Sequence, residues 1–217
     1  MKTPVLFVTF ARPDYARQTF NAIKKAKPEK LYFYSNKARK DSSVEIQRNE
    51  QIRGFINEID WNCDLKTYFR DEYVDIYTSL WGAFDWVFEN EEQAIILEED
   101  CVPSIAFFDF CDQLLLKFKN DRRIWVISGN NFLEGYNPNN YDYFFSYFTF
   151  MYGWASWRDR WKNIIRGELP YEQIKEYRLY EQLYANKKAA KITLNFVRKI
   201  VNTPAWDHRF QVTIRCN

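Results

Sequence analysis

The sequence predicts an α/β protein with a mostly parallel sheet flanked by helices, an aromatic antiparallel addition and a helical C-terminal part. Three observations predict it. Short apolar runs and segments of helical spacing alternate four times within the first hundred residues, a pattern that requires right-handed crossovers. The runs are apolar without alternation, as in strands buried on both faces. Beyond residue 157 helical spacing dominates.

The apolar run 5–10 is the first strand, and Ala11-Arg12-Pro13-Asp14 turns it into a helix over 15–25 with Phe20 and Ile23 inward. A second strand over 30–34 leads through a polar loop to a helix in which Ile46, Ile52, Phe55, Ile56 and Ile59 keep helical spacing. A third strand spans 65–69. Residues 70–75 connect it to a helix reaching about Phe88, with Leu80, Phe84 and Val87 on its buried face. The fourth strand, Ala94-Ile95-Ile96-Leu97, is too short and too apolar for a surface helix. A helix over 107–118, a strand over 124–128 and an aromatic strand over 143–150, joining the sheet antiparallel, should follow. Pro204 should end the last helical stretch, leaving Trp206-Asp207-His208-Arg209 in a loop.

The fourth strand ends in three carboxylates, Glu98, Glu99 and Asp100. Ligands of open α/β sheets bind at the carboxyl ends of strands. Adjacent acids repel and resist desolvation, so at a partly buried strand end they fit beside a cation. This suggests a divalent-metal site for a phosphorylated substrate. The competing reading is a solvated acidic turn. No GxGxxG follows the first strand and no GxxxxGK[ST] occurs, so a diphosphate would have to be held by metal and basic side chains.

Composition narrows the classes. The 217 residues can bury a sizeable core, and 31 basic against 29 acidic residues give no overall drive toward nucleic acid or anionic membrane. Any anion site must be local. Aromatics reach 19%, more than a small core needs, and cluster between Tyr141 and Trp161. Four cysteines without CxxC spacing and one histidine argue against structural zinc. They read as free thiols of a reducing compartment. With no basic-then-apolar leader and no apolar run long enough to span a bilayer, the expected location is the cytoplasm, with no integral membrane segment.

Five segments in order resemble the GT-A family of nucleotide-sugar glycosyltransferases, especially small enzymes of bacteria and large DNA viruses. They are the strand and Arg-Pro turn of 4–14, Ile95 to Ser104 with Phe107-Phe108, Ile127-Ser128-Gly129-Asn130-Asn131-Phe132, Gly153-Trp154-Ala155-Ser156-Trp157, and Trp206-Asp207. The triplet departs from the family in reading Glu-Glu-Asp where many relatives have Glu-Asp-Asp. The resemblance implies a single GT-A domain over 1–217, with a nucleotide-sugar half over 1–100 and an acceptor half over 101–217. It implies a metal-dependent, inverting transfer of a hexose from a UDP-sugar such as UDP-glucose to a hydroxyl of a glycan or glycoprotein.

By position in that pattern, Asp100 would coordinate Mn²⁺ or Mg²⁺, while Glu98 and Glu99 would face the ribose, the donor sugar or metal-bound water. Thr9, Ala11 and Arg12 would line the nucleotide. Asn36 and Arg39 would reach base or diphosphate, and Arg70, a bidentate donor, the diphosphate. Asp207 would be the general base, shielded by Trp206. Trp154 and Trp157, with Tyr152 and Gly153, would form the acceptor wall together with Trp206, the competing view being a plain aromatic core; if both hold, Trp154 is exposed and Trp157 buried. Rival readings are a sugar-nucleotide pyrophosphorylase, which would need a Gly-rich basic loop after the first strand, and a catalytically silent carbohydrate-binding protein.

Overall fold

The computed structural model describes residues 1–133, 140–184, 186–200 and 202–216, with only the backbone of Leu183. Two compact units emerge, the first formed by Met1–Glu134 and Phe150–Trp161, the second by Gly135–Thr149 and Lys162–Asn217.

The first unit is the predicted α/β sheet. Its strands are β1 (Val5–Thr9), β2 (Lys30–Ser35), β3 (Asp64–Phe69), β4 (Gln93–Glu98), β5 (Ile127–Ser128) and β6 (Trp154–Trp157), in the order β3-β2-β1-β4-β6-β5. The first four are mutually parallel, and β6 runs antiparallel to β4 and to β5. Every residue of β1 is buried, as is Ala94–Leu97 of β4, which explains their unbroken apolar sequence. Register sets the two faces. Phe7 and Phe33 turn toward Phe20 of α1 (Pro13–Ala26), which meets Phe55 beyond α2 (Ser43–Arg53). Tyr32 turns to the opposite face, against Trp86 of α3 (Ile76–Asn90). On the first face Thr3, just ahead of β1, donates its amide to Asp112 of α4 (Ile105–Lys117).

Helix starts follow local chemistry. Pro13 occupies the first turn of α1, where its missing N–H costs nothing. Ser42, Asp75 and Ser104 cap α2, α3 and α4 by accepting backbone amides.

The antiparallel strand lies elsewhere than expected. Residues 143–150 form no strand. Phe145, Tyr147 and Phe148 are all more than half exposed, so this run lacks the inward-facing alternation that a half-buried strand requires. The sheet is instead completed by Trp154–Trp157, whose four residues are all buried, entered through Gly153 at φ 84°.

The second unit is helical: α6 (Tyr171–Glu176), α7 (Leu179–Leu183), α8 (Lys187–Ile200) and α9 (Trp206–Cys216), preceded by α5 (Arg158–Lys162), which crosses from the first unit. Leu169, Ile174, Tyr180, Val197, Ile200 and Val212 belong to its core. Trp206 to Arg209 are helix rather than loop. Pro204 precedes the start of α9 as well as following α8, the Thr203 hydroxyl accepts the Ala205 amide, and Asp207 lies in the first turn where the helix dipole favours a carboxylate.

Candidate functional site

Connections leave β1 for β2 on one side and reach β4 on the other, so the sheet order reverses between β1 and β4. The carboxyl ends of these two strands are the topological switch point, where open α/β sheets bind ligands. The Arg-Pro turn and the acidic triplet meet there.

Glu99 is the organiser. Its side chain is 5% exposed. Its carboxylate accepts the Phe10 amide at 2.8 Å, the Arg12 amide at 3.5 Å and Arg12 Nε at 2.6 Å. The Glu99 carbonyl accepts the Thr19 hydroxyl of α1 at 2.9 Å. A buried carboxylate with charge-assisted donors at this spacing fixes the turn after β1 to the turn after β4. Asp100 sits outside this lock with its side chain 42% exposed, and Arg12 Nη1 reaches its Oδ2 at 3.0 Å. Partial burial pulls the Arg12 guanidinium down, but the bonds and charges of Glu99 and then Asp100 outweigh it and hold it above its usual value. The cation that the acidic strand end calls for is therefore supplied in part by the chain itself. Glu98 pairs in register with Val8 on the α3 face of the sheet. Cys101, against the backbone of Glu98 and Gly153, is pushed up to about 12 by burial and then by the charge of Glu98.

Sequence reasoning missed Asn49 and Arg53. Asn49, 2% exposed, donates to the carbonyls of Phe10 at 2.6 Å and Asn36 at 2.8 Å. Arg53 donates to the Ser35, Asn36 and Arg70 carbonyls, and burial lowers its guanidinium. Together they tie the ends of β1, β2 and β3. The available signal was that Asn49 falls three residues before Ile52, on the apolar side of α2, where a polar residue needs a partner.

The other expected residues divide. Thr9 is buried and its hydroxyl donates across the sheet to the Tyr34 carbonyl at 3.0 Å. Ala11 is buried. The Asn36 amide donates to the Val74 carbonyl at 2.9 Å, shaping the loop before α3. Arg39 pairs with Glu45 and lies 4.9 Å from the Tyr73 ring, which is tilted against Phe10 at 6.1 Å. Arg70 donates to the Tyr34 hydroxyl at 2.5 Å and seats against Gly82 of α3, where an added Cβ would come within 2.6 Å of its Nη2.

Trp154 is not an exposed acceptor wall. It is 0% exposed, pairs with Ile96 in the sheet and packs edge-on against Phe84 at 5.5 Å. An indole placed between β4 and α3 is core, as is Trp157 on the opposite face, whose Nε1 donates to the Leu115 carbonyl. Gly153 lies beside the end of β4, where a Cβ would stand 3.5 Å from Leu97. Within the second unit, Trp206 is buried and Asp207 is partly exposed, 4.0 Å from His208 Nε2.

No group of three or more His, Cys, Asp or Glu side chains suited to a metal occurs among the described residues. An all-protein cage is therefore not built there. Asp100 fits the other way of holding Mg²⁺ or Mn²⁺, in which one or two carboxylates share the ion with substrate phosphates.

No family model and no curated protein matches the chain. Among solved structures it resembles a 4-diphosphocytidyl-2C-methyl-D-erythritol synthase from Anaerococcus prevotii, at 14% identity and a TM-score of 0.41 over 73% of this chain and 71% of that one. That likeness is too distant to bear on activity. No helix among the described residues is long and apolar enough to cross a membrane.

Proposed function

We propose that the β1/β4 switch point binds the diphosphate of a nucleotide-activated sugar, and that the chain is a metal-dependent, inverting glycosyltransferase using a UDP-hexose and a glycan or glycoprotein hydroxyl. The observation that carries this reading is the juxtaposition of Arg12 with Glu99 and Asp100 at the strand ends. Glu99 holds the turn. Arg12, half exposed, can turn one face of its guanidinium to phosphate oxygens while Nε stays on Glu99. Asp100 would hold Mn²⁺ or Mg²⁺, which would offset charge on the leaving diphosphate. The cluster of Phe10, Arg39 and Tyr73 offers an aromatic and cationic surface for the base. Asp207 is assigned as general base from the family resemblance.

A nucleotidyl transfer, in which a sugar phosphate attacks a nucleoside triphosphate and pyrophosphate leaves, would use the same diphosphate site. Against it stands the Ala11-Arg12-Pro13 turn, which lacks a Gly-rich basic loop. A silent sugar binder would need no acidic strand end. The deciding experiment is a thermal-shift panel of nucleotides and nucleotide sugars with and without Mn²⁺, followed by product analysis. Mn²⁺-dependent protection by a UDP-sugar, with UDP released on turnover, supports glycosyl transfer. Pyrophosphate release from a triphosphate would replace it with the nucleotidyl reading, and sugar protection without nucleotide would replace both.

A further inference from the structure

The second unit contains eleven Lys or Arg and six Asp or Glu, a net charge of +5, while the first contains 20 and 23, a net of −3. The excess concentrates on α8, whose sequence KKAAKITLNFVRKI holds five cations and no carboxylate. Its inner face is set by Ala190, Thr193, Val197 and Ile200, which are buried. The outer face follows from helical spacing: Lys187, Lys191 and Arg198 form one row, and Lys188, Ile192 and Lys199 the next. All five cations are exposed, and among the described residues none lies within ion-pair distance of a carboxylate, the neighbouring acid being Glu181 of α7, whose carboxyl is held below its ordinary value by Arg178 and then by Lys187. Two apolar residues share this exposure. Ile192 is 60% exposed, and Phe196, one turn on, is 37% exposed with its ring edge-on to His208 of α9 at 5.4 Å. On the flank of Lys187 and Lys191, α8 borders a groove of about 260 Å³ with Ile174, Ala190 and Leu194 in its lining, where Arg178 and Glu181 answer each other as an ion pair.

We infer that the outer face of α8 docks on an anionic lipid surface. Charge complementarity selects the partner, because five cations with no intervening acid attract a sheet of headgroup phosphates. The apolar pair selects lipid over other polyanions. Ile192, with the exposed edge of Phe196 beside it and cations on either side, can enter the boundary between headgroups and acyl chains, whereas a phosphodiester backbone gives an isoleucine no apolar phase to enter. The contact needs no spanning helix and leaves the switch point of the first unit out of account.

The test is co-sedimentation of the full chain with large vesicles of phosphatidylcholine alone or mixed with phosphatidylglycerol. Binding is expected to the mixed vesicles and to weaken at least tenfold without phosphatidylglycerol. Lys187→Ala/Lys188→Ala/Lys191→Ala should weaken it by about 100-fold, at about fivefold per cation. Ile192→Ser/Phe196→Ser should weaken it by about tenfold with the charge intact. Raising salt should release the wild-type chain, a readout that holds even where a variant is insoluble. No binding to the mixed vesicles, salt-independent binding, or undiminished binding of the lysine variant would overturn the inference. So would capture by a polyanion such as heparin at salt concentrations where the vesicles no longer bind.

Discussion

Two regions treat charge in opposite ways, the strand ends of the first unit and helix α8 of the second. At the strand ends of the first, acids and bases meet each other: Arg12 bridges Glu99 and Asp100, and Arg53 answers three backbone carbonyls. On α8 of the second, cations stand together and face solvent. The first arrangement organises the fold, because a buried ion with all its partners fixes the elements that supply them. The second adds little to the fold and leaves its charge for something outside it. A chain total of +2 conceals both.

The comparison can be broken or sharpened by substitution. The largest effect should come from the apolar floor beneath the first unit's charges. Ile96→Ala, at a fully buried position of β4, should cost about 3–4 kcal/mol in denaturant unfolding. Next is Glu99→Ala, which leaves the Phe10 amide and the Arg12 guanidinium without their acceptor and should cost about 2–3 kcal/mol, less than a fully buried pair because Arg12 is half exposed. Asp100→Asn, at a partly exposed pair, should cost under about 1 kcal/mol. If the two acids proved equal in stability, Glu99 would not be the organiser.

The parallel half of the fold was legible because burial on both faces leaves a strong mark: β1 and β4 are apolar runs, and the turns between elements carry Pro, Ser and Asp where caps require them. The meeting of Arg12 with the triplet was legible only as a shared sheet edge, since sequence places both at strand ends without saying which acid turns inward. Pairing register and the Thr19 and Phe10 contacts decide that it is Glu99. The aromatic stretch misled for a physical reason. Aromatic density marks 143–150 and 154–157 alike, but only the second has neighbours on both sides to bury against, Ile96 on β4 and Ser128 on β5. Asn49 and Arg53 were hidden because a polar residue on a helix normally reads as its wet side.

Smaller effects test the charges outside the switch point. Asp121, bonded to the side chain and amide of Arg123, lies below its ordinary 3.8, at about 2. A carboxyl depressed in the folded state contributes stability above its unfolded value, and that contribution disappears as pH falls from 3.8 toward 2. Wild type should therefore lose more stability across that window than Asp121→Asn in paired acid titrations followed by circular dichroism. Equal slopes would mean that the Arg123 bond adds nothing to the fold.

The smallest expected change completes the contrast, because its sign differs. Lys187→Ala/Lys188→Ala/Lys191→Ala removes three exposed cations from α8, among them Lys187 and Lys191 at i and i+4, whose like charges repel. Alanine also has the higher helix propensity. Stability should stay within about 0.5 kcal/mol of wild type or rise slightly, measured by thermal and urea unfolding at low salt. A loss well beyond that would show these lysines supporting the helix itself, and would place α8 with Glu99 among charges that hold the structure together.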